Sequence, residues 1–89
     1  MIDYTLENGL QLLRLHYGRK ITLEKCKEEL QELIEALEKR DSENIHEEVA
    51  DVYNILTHIK AYYNISDDEV VVRQKYKVNR QLKRIKKEK

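Results

Sequence analysis

Apolar residues recur at helical spacing along most of the chain. Three stripes alternate steps of three and four residues: Leu6, Leu10, Leu13 and Tyr17; Leu23, Cys26, Leu30, Leu33 and Leu37; Ile45, Val49, Val52, Leu56, Ile59 and Tyr63. Such steps place apolar side chains along one face of a helix. The pattern therefore predicts helices over about 3–17, 23–40 and 43–63, and the third has the heptad-like spacing of bundle packing.

The breaks between these stripes carry residues typical of helix ends. Gly18 suits a left-handed residue after the first helix. Thr22 is the expected N-cap of the second helix, which ends before the short break at residues 40–42. Because the connections are short, we expect neighbouring helices to run antiparallel.

A fourth helix is predicted after Ser66, which forms an S-x-x-E capping box with Glu69. It extends over about 67–84 or beyond. Its expected inward-facing residues are Val71, Val78, Leu82 and Ile85. We thus expect a single all-α domain over residues 1–89, a four-helix bundle whose last few residues fray.

Composition agrees with an all-helical chain and indicates a small core. The 89 residues include no proline and only two glycines, and a chain this short buries little apolar surface. Oligomerisation is therefore expected to complete the core. The lone Cys26, read as a packing residue, excludes an intrachain disulfide and suits a reducing compartment. With no signal peptide or membrane span recognisable, a cytoplasmic location is expected.

Charge is unevenly distributed although the net charge is zero. Residues 1–68 carry 15 acidic and 8 basic side chains, whereas residues 69–89 carry 2 acidic and 9 basic ones. One interpretation brings cations that bind phosphate near an acidic face. The other is a solvated basic segment that only neutralises the acidic body.

Two pairs of carboxylates suggest a metal site. Glu29 and Glu32 are three residues apart on the second predicted helix, and Glu48 and Asp51 have the same spacing on the third. Residues three apart share a helix face, so the four carboxylates meet if the two helices form a hairpin. Clustered carboxylate oxygens are the ligands that Mg²⁺ or Mn²⁺ prefers.

The alternative to a metal site is an ordinary solvated acidic face. Both pairs flank the apolar stripes, and Glu32, Glu48 and Asp51 have no lysine or arginine three or four residues away. A solvated face usually carries such partners. The residues alone leave both interpretations open.

The same strings resemble a known family. Glu28-Glu29-Leu30-Gln31-Glu32, followed on the next helix by Glu48-Val49-Ala50-Asp51, is similar to the motifs of the MazG-like all-α nucleoside triphosphate pyrophosphohydrolases. The resemblance covers roughly residues 20–85. The small size and the stretch over residues 76–82 look most like the compact, phage-associated members.

This resemblance implies a hydrolase that converts a (d)NTP to the (d)NMP and pyrophosphate with Mg²⁺, or Mn²⁺, as cofactor. It implies metal ligands at Glu29, Glu32, Glu48 and Asp51, of which Glu29 or Glu32 would also accept a proton from water. Glu28 would contact the metal ligands without binding the ion itself, or it would hold a water molecule. Residues expected to contact the triphosphate are Lys77, Arg80 and, as a weaker match, Asn79. The active unit would be a homodimer or homotetramer.

Residues outside the carboxylate pairs give further expectations. Asn54 lies three residues after Asp51 on the same face, which makes it a candidate for substrate binding, whereas His58 is more typical of a structural histidine. Tyr53, Tyr62 and Tyr63 are expected in the core or an interface.

The related phosphoribosyl-ATP pyrophosphohydrolases carry a glycine before the paired glutamates, where this chain has Cys26-Lys27. That substrate is therefore ranked lower.

A different class of function competes with the enzyme. The basic last helix would suit a non-catalytic interaction module that binds nucleic acid or an acidic partner. Aromatic residues are sparse on that helix, with only Tyr76, and the acidic body would repel a phosphate backbone. Nucleic-acid binding is therefore not expected.

Overall fold

The computed structural model describes residues 5–88, which form three α-helices and no strand. Helix α1 spans Leu6–Lys39, α2 spans Ser42–Tyr63 and α3 spans Asp67–Glu88. The all-α prediction is confirmed. The prediction of four separate helices is wrong for these residues, because the first two predicted helices are joined into the long, bent α1. The predicted start at Asp3 lies outside the described residues.

Gly18 marks the bend in α1. Its φ of 79° and ψ of 170° are the only non-helical dihedrals inside the helix. The positive φ was predicted, but this ψ is far from the left-handed helical value and belongs to a region that is essentially restricted to glycine. Helical geometry resumes at the next residue, so Thr22 lies inside α1 and is buried. The prediction of Thr22 as an N-cap is therefore wrong.

Side-chain caps begin each helix at a predicted or near-predicted position. The hydroxyl of Thr5, the carboxylate of Asp41 and the hydroxyl of Ser66 each accept a hydrogen bond from the backbone N–H three residues later. Satisfying an otherwise unpaired N–H stabilises a helix by about 1 kcal/mol. The left-handed residues Arg40 and Asn64 end α1 and α2. These caps explain the short connections that fold the chain back.

Helices α1 and α2 form an antiparallel hairpin, as expected. Early residues of α1 meet late residues of α2: Arg14 contacts His58, and the hydroxyl of Tyr62 donates weakly to Thr22 at 3.5 Å. Further along, Glu29 approaches Asp51. The buried apolar side chains are few: Leu10, Cys26, Ala36 and Ile55. The hairpin core is thus thin, and Cys26 packs within it as predicted.

Helix α3 packs against neither α1 nor α2 within the described residues. An ion pair between Lys60 and Asp67 holds its first turn, and from Val71 to Lys87 every residue is exposed. The prediction that Val71, Val78, Leu82 and Ile85 face inward is therefore wrong for the single chain, where they are 43–53% exposed. The radius of gyration of 16.6 Å exceeds the ~12 Å of a compact chain of this length. No helix of the described residues is long and apolar enough to cross a membrane.

Candidate metal centre

The hairpin brings the two carboxylate pairs together. Glu29 lies on α1 after the bend, and Glu48 and Asp51 lie on facing turns of α2. Each of these three residues offers one carboxylate oxygen, and the three oxygens lie within 4.8 Å of one another. We call Glu29, Glu48 and Asp51 the carboxylate cluster. It joins residues that are 22 positions apart in the sequence into one possible ligand set.

Two oxygens of the cluster are buried and have no hydrogen-bond partner within residues 5–88. They are Oε2 of Glu29 and Oε2 of Glu48. Leaving a buried polar atom unpaired costs free energy, and an ionised carboxylate costs more than a neutral group. Among the described residues no lysine, arginine or histidine forms a salt bridge with the cluster. Within residues 5–88 the charge of the cluster is therefore not neutralised by a salt bridge.

The pKa values of Glu29 and Glu48 reflect the lack of a neutralising positive charge beside them in the described part of the chain. Burial, followed by the negative charges of Asp51 and Glu32, raises the pKa of Glu29 from 4.5 to about 7. Burial also raises the pKa of Glu48, with Glu32 and Asp51 as the next causes. Each charged form is disfavoured by desolvation and by like charges. A divalent cation with oxygen preference would remove both penalties, so the donor set fits Mg²⁺ or Mn²⁺.

Glu32 and Glu28 occupy different positions from the cluster. Glu32 is exposed and is not one of the three residues whose oxygens converge. It is near enough for its charge to raise the pKa of both Glu29 and Glu48. Glu28 is exposed one residue before Glu29. The structure thus gathers three of the four predicted ligands and leaves Glu32 at their solvent side.

A cavity of about 150 Å³ adjoins the cluster. Its lining includes Glu29 and Asp51 of the cluster. The cavity extends along α2 to His58 and reaches Leu13 and Tyr17 of α1, before the bend at Gly18. The lining residues are Leu13, Tyr17, Thr22, Lys25, Cys26, Glu29, Asp51, Asn54, Ile55 and His58. Asn54, predicted to contact substrate, is among them. Binding sites for complete small molecules usually measure roughly 300–1,000 Å³, so one chain encloses space for only part of a nucleotide.

Two cationic side chains near this cavity were not singled out from the sequence. Lys25 lines the cavity, with its Nζ 4.7 Å from the centre of the Tyr17 ring. Arg14 places Nη1 3.0 Å from Nδ1 of His58. The signal for Lys25 was its position one helical turn before Glu29. Nothing in the local sequence linked Arg14 to His58, because they are 44 residues apart.

The predicted phosphate-binding residues lie on the unpacked helix. Lys77, Asn79 and Arg80 are exposed on α3, and the Arg80 guanidinium lies 5.9 Å from the centre of the Tyr76 ring. Because α3 packs on neither helix of the hairpin and, within residues 5–88, is tied to α2 only at its first turn, the single chain does not bring these residues to the cluster. Of the three tyrosines expected in a core or interface, Tyr53 and Tyr63 are exposed and Tyr62 is half-buried.

Comparison with known proteins gives the family. None of the curated proteins and none of the solved structures compared with the chain matches it. The family model for phosphoribosyl-ATP pyrophosphohydrolase matches residues 12–74. That region includes the whole carboxylate cluster, Glu28 and Glu32, and it ends before Lys77. The match covers well over half of the sequence, and the reaction class it indicates is that of a pyrophosphohydrolase. The chain therefore belongs to the phosphoribosyl-ATP pyrophosphohydrolase family, within the MazG-like all-α nucleoside triphosphate pyrophosphohydrolase superfamily.

Proposed function

We propose that the protein is a Mg²⁺-dependent nucleotide pyrophosphohydrolase that cleaves a (d)NTP between its α- and β-phosphates. The observation that carries this proposal is the carboxylate cluster, with two buried oxygens that lack any partner among the described residues. Family membership supports the reaction class. The products would be the (d)NMP and pyrophosphate.

The cluster is the proposed site of the divalent cation. Glu29, Glu48 and Asp51 would hold Mg²⁺, and the same oxygen donors suit Mn²⁺. When bound, such an ion neutralises charge on phosphoryl oxygens and acts as a Lewis acid. Ionised ligands are required for binding, so occupancy would also keep Glu29 and Glu48 deprotonated.

Glu32 is the proposed acceptor of the proton from the attacking water. It is exposed beside the cluster and outside the convergent set, so this arrangement does not require it as a ligand of the ion. In the proposed step the water oxygen bonds to the α-phosphorus. The bond from that phosphorus to the bridging oxygen breaks, and pyrophosphate leaves with the electron pair. Glu29, the other acceptor considered from the sequence, is assigned here to holding the ion.

Oligomerisation is the second part of the proposal. The apolar face of α3, with Val71, Val78, Leu82 and Ile85, is exposed, and so are Leu30, Leu37, Val49 and Leu56 of the hairpin. A homodimer or homotetramer that covers these faces would complete a helical bundle. Helix α3 is basic and the hairpin is acidic, so the two are also complementary in charge.

An oligomer would allow α3 of one copy to reach the cluster of another. Lys77 and Arg80 are three residues apart on α3 and therefore share a face. In that arrangement they would pair with the β- and γ-phosphates by charged hydrogen bonds, and Asn79 would lie at the side of the same segment. The support for action in trans is that α3 packs on neither helix of its own hairpin.

Phosphoribosyl-ATP is a second candidate substrate. It is favoured by the family model that matches residues 12–74. The chemistry is shared, because release of pyrophosphate again breaks the bond between the α- and β-phosphates. Against it stands the absence of a glycine before Glu28, where this chain has Cys26 and Lys27. A (d)NTP therefore remains the first choice.

A turnover panel tests the proposal and separates the two substrates. Purified protein is incubated with each NTP, each dNTP including dUTP, and phosphoribosyl-ATP, in Mg²⁺, Mn²⁺ or EDTA, and products are separated by chromatography. The expected result is metal-dependent release of pyrophosphate and a (d)NMP. Turnover of phosphoribosyl-ATP alone would select the second candidate. No turnover of any compound would contradict the proposal and favour the interaction module, for which salt-dependent binding of nucleic acid is the next test.

A further inference from the structure

His58 lies in the wall of the cavity, on the same face of α2 as the carboxylate cluster. Asp51, Asn54 and His58 follow one another at steps of three and four residues, and all three line the cavity. Seven residues of α-helix span roughly 10 Å. A ligand whose phosphates lie at the cluster would therefore present to His58 a part that is remote from those phosphates.

The contact with Arg14 determines which nitrogen of His58 carries the proton. Arg14 Nη1 lies 3.0 Å from His58 Nδ1. A guanidinium is always charged and can only donate hydrogen bonds. Nδ1 must therefore accept, and the ring of a neutral His58 is protonated on Nε2. Among the described residues this Nε2–H has no hydrogen-bond partner, and it is not enclosed.

The surroundings of His58 also favour its neutral form. Burial and then the charge of Arg14 lower the pKa of His58 below its usual value of 6.5. The imidazole thus offers one N–H donor of fixed position and no positive charge. Because it carries no charge, such a donor forms no ion pair with phosphate but can hydrogen-bond an uncharged acceptor atom.

The cavity has the size and walls for a planar ring. A cavity of about 150 Å³ is of the size that holds a benzene molecule in an engineered protein. Leu13 and Ile55 line it with apolar surface, and Tyr17 adds an aromatic ring. The polar atoms of Asn54 and His58 lie on the α2 side. These features select a flat, mostly apolar group with a polar edge.

We infer that His58 is a specificity-determining residue that donates a hydrogen bond from Nε2 to an acceptor on the ring of the ligand. Arg14 is the positioning residue that fixes this tautomer. The ligand class is an uncharged heterocycle with a carbonyl oxygen or an unprotonated ring nitrogen at its edge, joined to phosphate through a sugar. The inference rests on the proposed function, because it takes the phosphates to lie at the carboxylate cluster.

The tautomer is tested on the full chain without any ligand. Two-bond ¹H–¹⁵N spectra of the histidine rings, assigned with His58→Gln, should show His58 protonated on Nε2 alone. In Arg14→Met the tautomers should mix and the pKa of His58 should rise. Arg19→Met, a matched change on the same helix, should leave both unchanged. Protonation of His58 on Nδ1 in the unchanged protein, or a pattern indifferent to Arg14→Met, would overturn the inference.

The donor role is tested by binding the nucleoside 5′-monophosphates in Mg²⁺, with ribose 5-phosphate as the probe that lacks a base. His58→Leu should weaken at least one monophosphate about 3- to 10-fold, the worth of one neutral hydrogen bond. It should leave ribose 5-phosphate unaffected. His58→Gln keeps a donor and should restore much of the loss, and His46→Leu, on the exposed side of α2, should change nothing.

Three results would overturn the inference: no monophosphate binds, His58→Leu leaves all affinities unchanged, or it weakens ribose 5-phosphate equally. These readouts do not depend on turnover. If base-dependent binding follows His58 while no triphosphate is cleaved, the failure belongs to the proposed hydrolysis and not to the assignment of His58.

Discussion

The α1–α2 hairpin and α3 are both amphipathic, yet only the hairpin packs within the described chain. The hairpin buries Leu10, Cys26 and Ile55 and holds three acidic side chains with convergent oxygens. Helix α3 leaves its apolar stripe exposed and displays most of its charge as lysine and arginine. Within residues 5–88, α1 and α2 pack against each other, whereas neither of them packs against α3.

The contrast between the hairpin and α3 shows how much an apolar stripe specifies. Its spacing identifies the face of a helix that must be covered, but it does not identify what covers that face. On α2 the preceding helix buries Glu48 and Ile55 but leaves Val49 and Leu56 of the predicted stripe exposed. For α3 the proposed cover is another copy of the chain. The candidate site residues differ in the same way. The carboxylate cluster forms inside one hairpin, whereas Lys77 and Arg80 on α3 would need a second copy of the chain to reach it.

The largest expected effect comes from removing one carboxylate of the hairpin. Asp51→Asn should lower kcat by at least about 100-fold, because even residues that only support a metal ligand contribute 10- to 100-fold. The neutral amide keeps the shape, so helicity by circular dichroism should persist. Glu47→Gln removes the same charge from an exposed neighbouring position and should leave kcat within about twofold. Full activity of Asp51→Asn would refute the role of the cluster.

The separation of α3 from the hairpin predicts that the two can be supplied by different chains. Lys77→Ala should lower kcat/KM about 10- to 100-fold, the worth of a charged hydrogen bond. Mixing that variant with Asp51→Asn after subunit exchange should give more activity than the two variants measured apart. Lys83→Ala in place of Lys77→Ala is the control for basic charge on α3. A mixture that shows only the average of its components would indicate that Lys77 acts in its own chain or not at all.

The bend in α1 should be sensitive to the residue at position 18. Gly18→Ala should lower the free energy of unfolding by roughly 1–3 kcal/mol, because a φ of 79° with a ψ of 170° is strained for any residue with a Cβ. The space around Gly18 is open, with nothing within 4 Å of an added Cβ, so the cost is conformational and not steric. Urea unfolding measures it. Gly9→Ala, within regular helix, should cause no such loss.

The smallest expected effect is a dependence of stability on pH in the hairpin. The pKa of Glu29 is raised from 4.5 to about 7 in the folded protein, so the folded state binds this proton more tightly than the unfolded state. Its contribution is fully present below pH 4.5 and is lost as the pH rises through 7.

The melting temperature of the protein in EDTA should therefore fall across that pH range, and Mg²⁺ should offset the fall. Glu29→Gln should flatten the dependence, whereas the exposed Glu35→Gln should retain it. A melting temperature in EDTA that rises from pH 5 to 7 in step with the ionisation of Glu29 would contradict the sign.

Much of this architecture could be predicted from the sequence, and the predictions that were wrong have identifiable physical reasons. The stripes and caps predicted most of the helix bounds. The i, i+3 spacing predicted that four carboxylates would meet, and three of them, Glu29, Glu48 and Asp51, do so while Glu32 stays outside the group. The joining of two predicted helices at Gly18 was missed, because helical geometry resumes at once instead of after a loop ending at Thr22. Local patterns do not report the length of such a break.

The remaining errors and omissions concern contacts between distant residues. Val78 and Leu82 follow a helical stripe, but their exposure depends on whether another element approaches α3. Arg14 and His58 are in contact only because the hairpin folds, and no spacing along the sequence predicts that contact. The sequence predicted the helices, but on α2 the buried Glu48 and Ile55 lie beside the predicted apolar stripe and not on it. Which faces meet within one chain required the three-dimensional structure.

Titration of the protein with Mn²⁺, followed by calorimetry and by the electron paramagnetic resonance of the bound ion, tests the carboxylate cluster most directly. We expect saturable binding that Glu48→Gln weakens at least about tenfold and that Glu47→Gln leaves unchanged. Absence of saturable binding, or equal binding by Glu48→Gln, would contradict the assignment of Glu29, Glu48 and Asp51 as a metal centre.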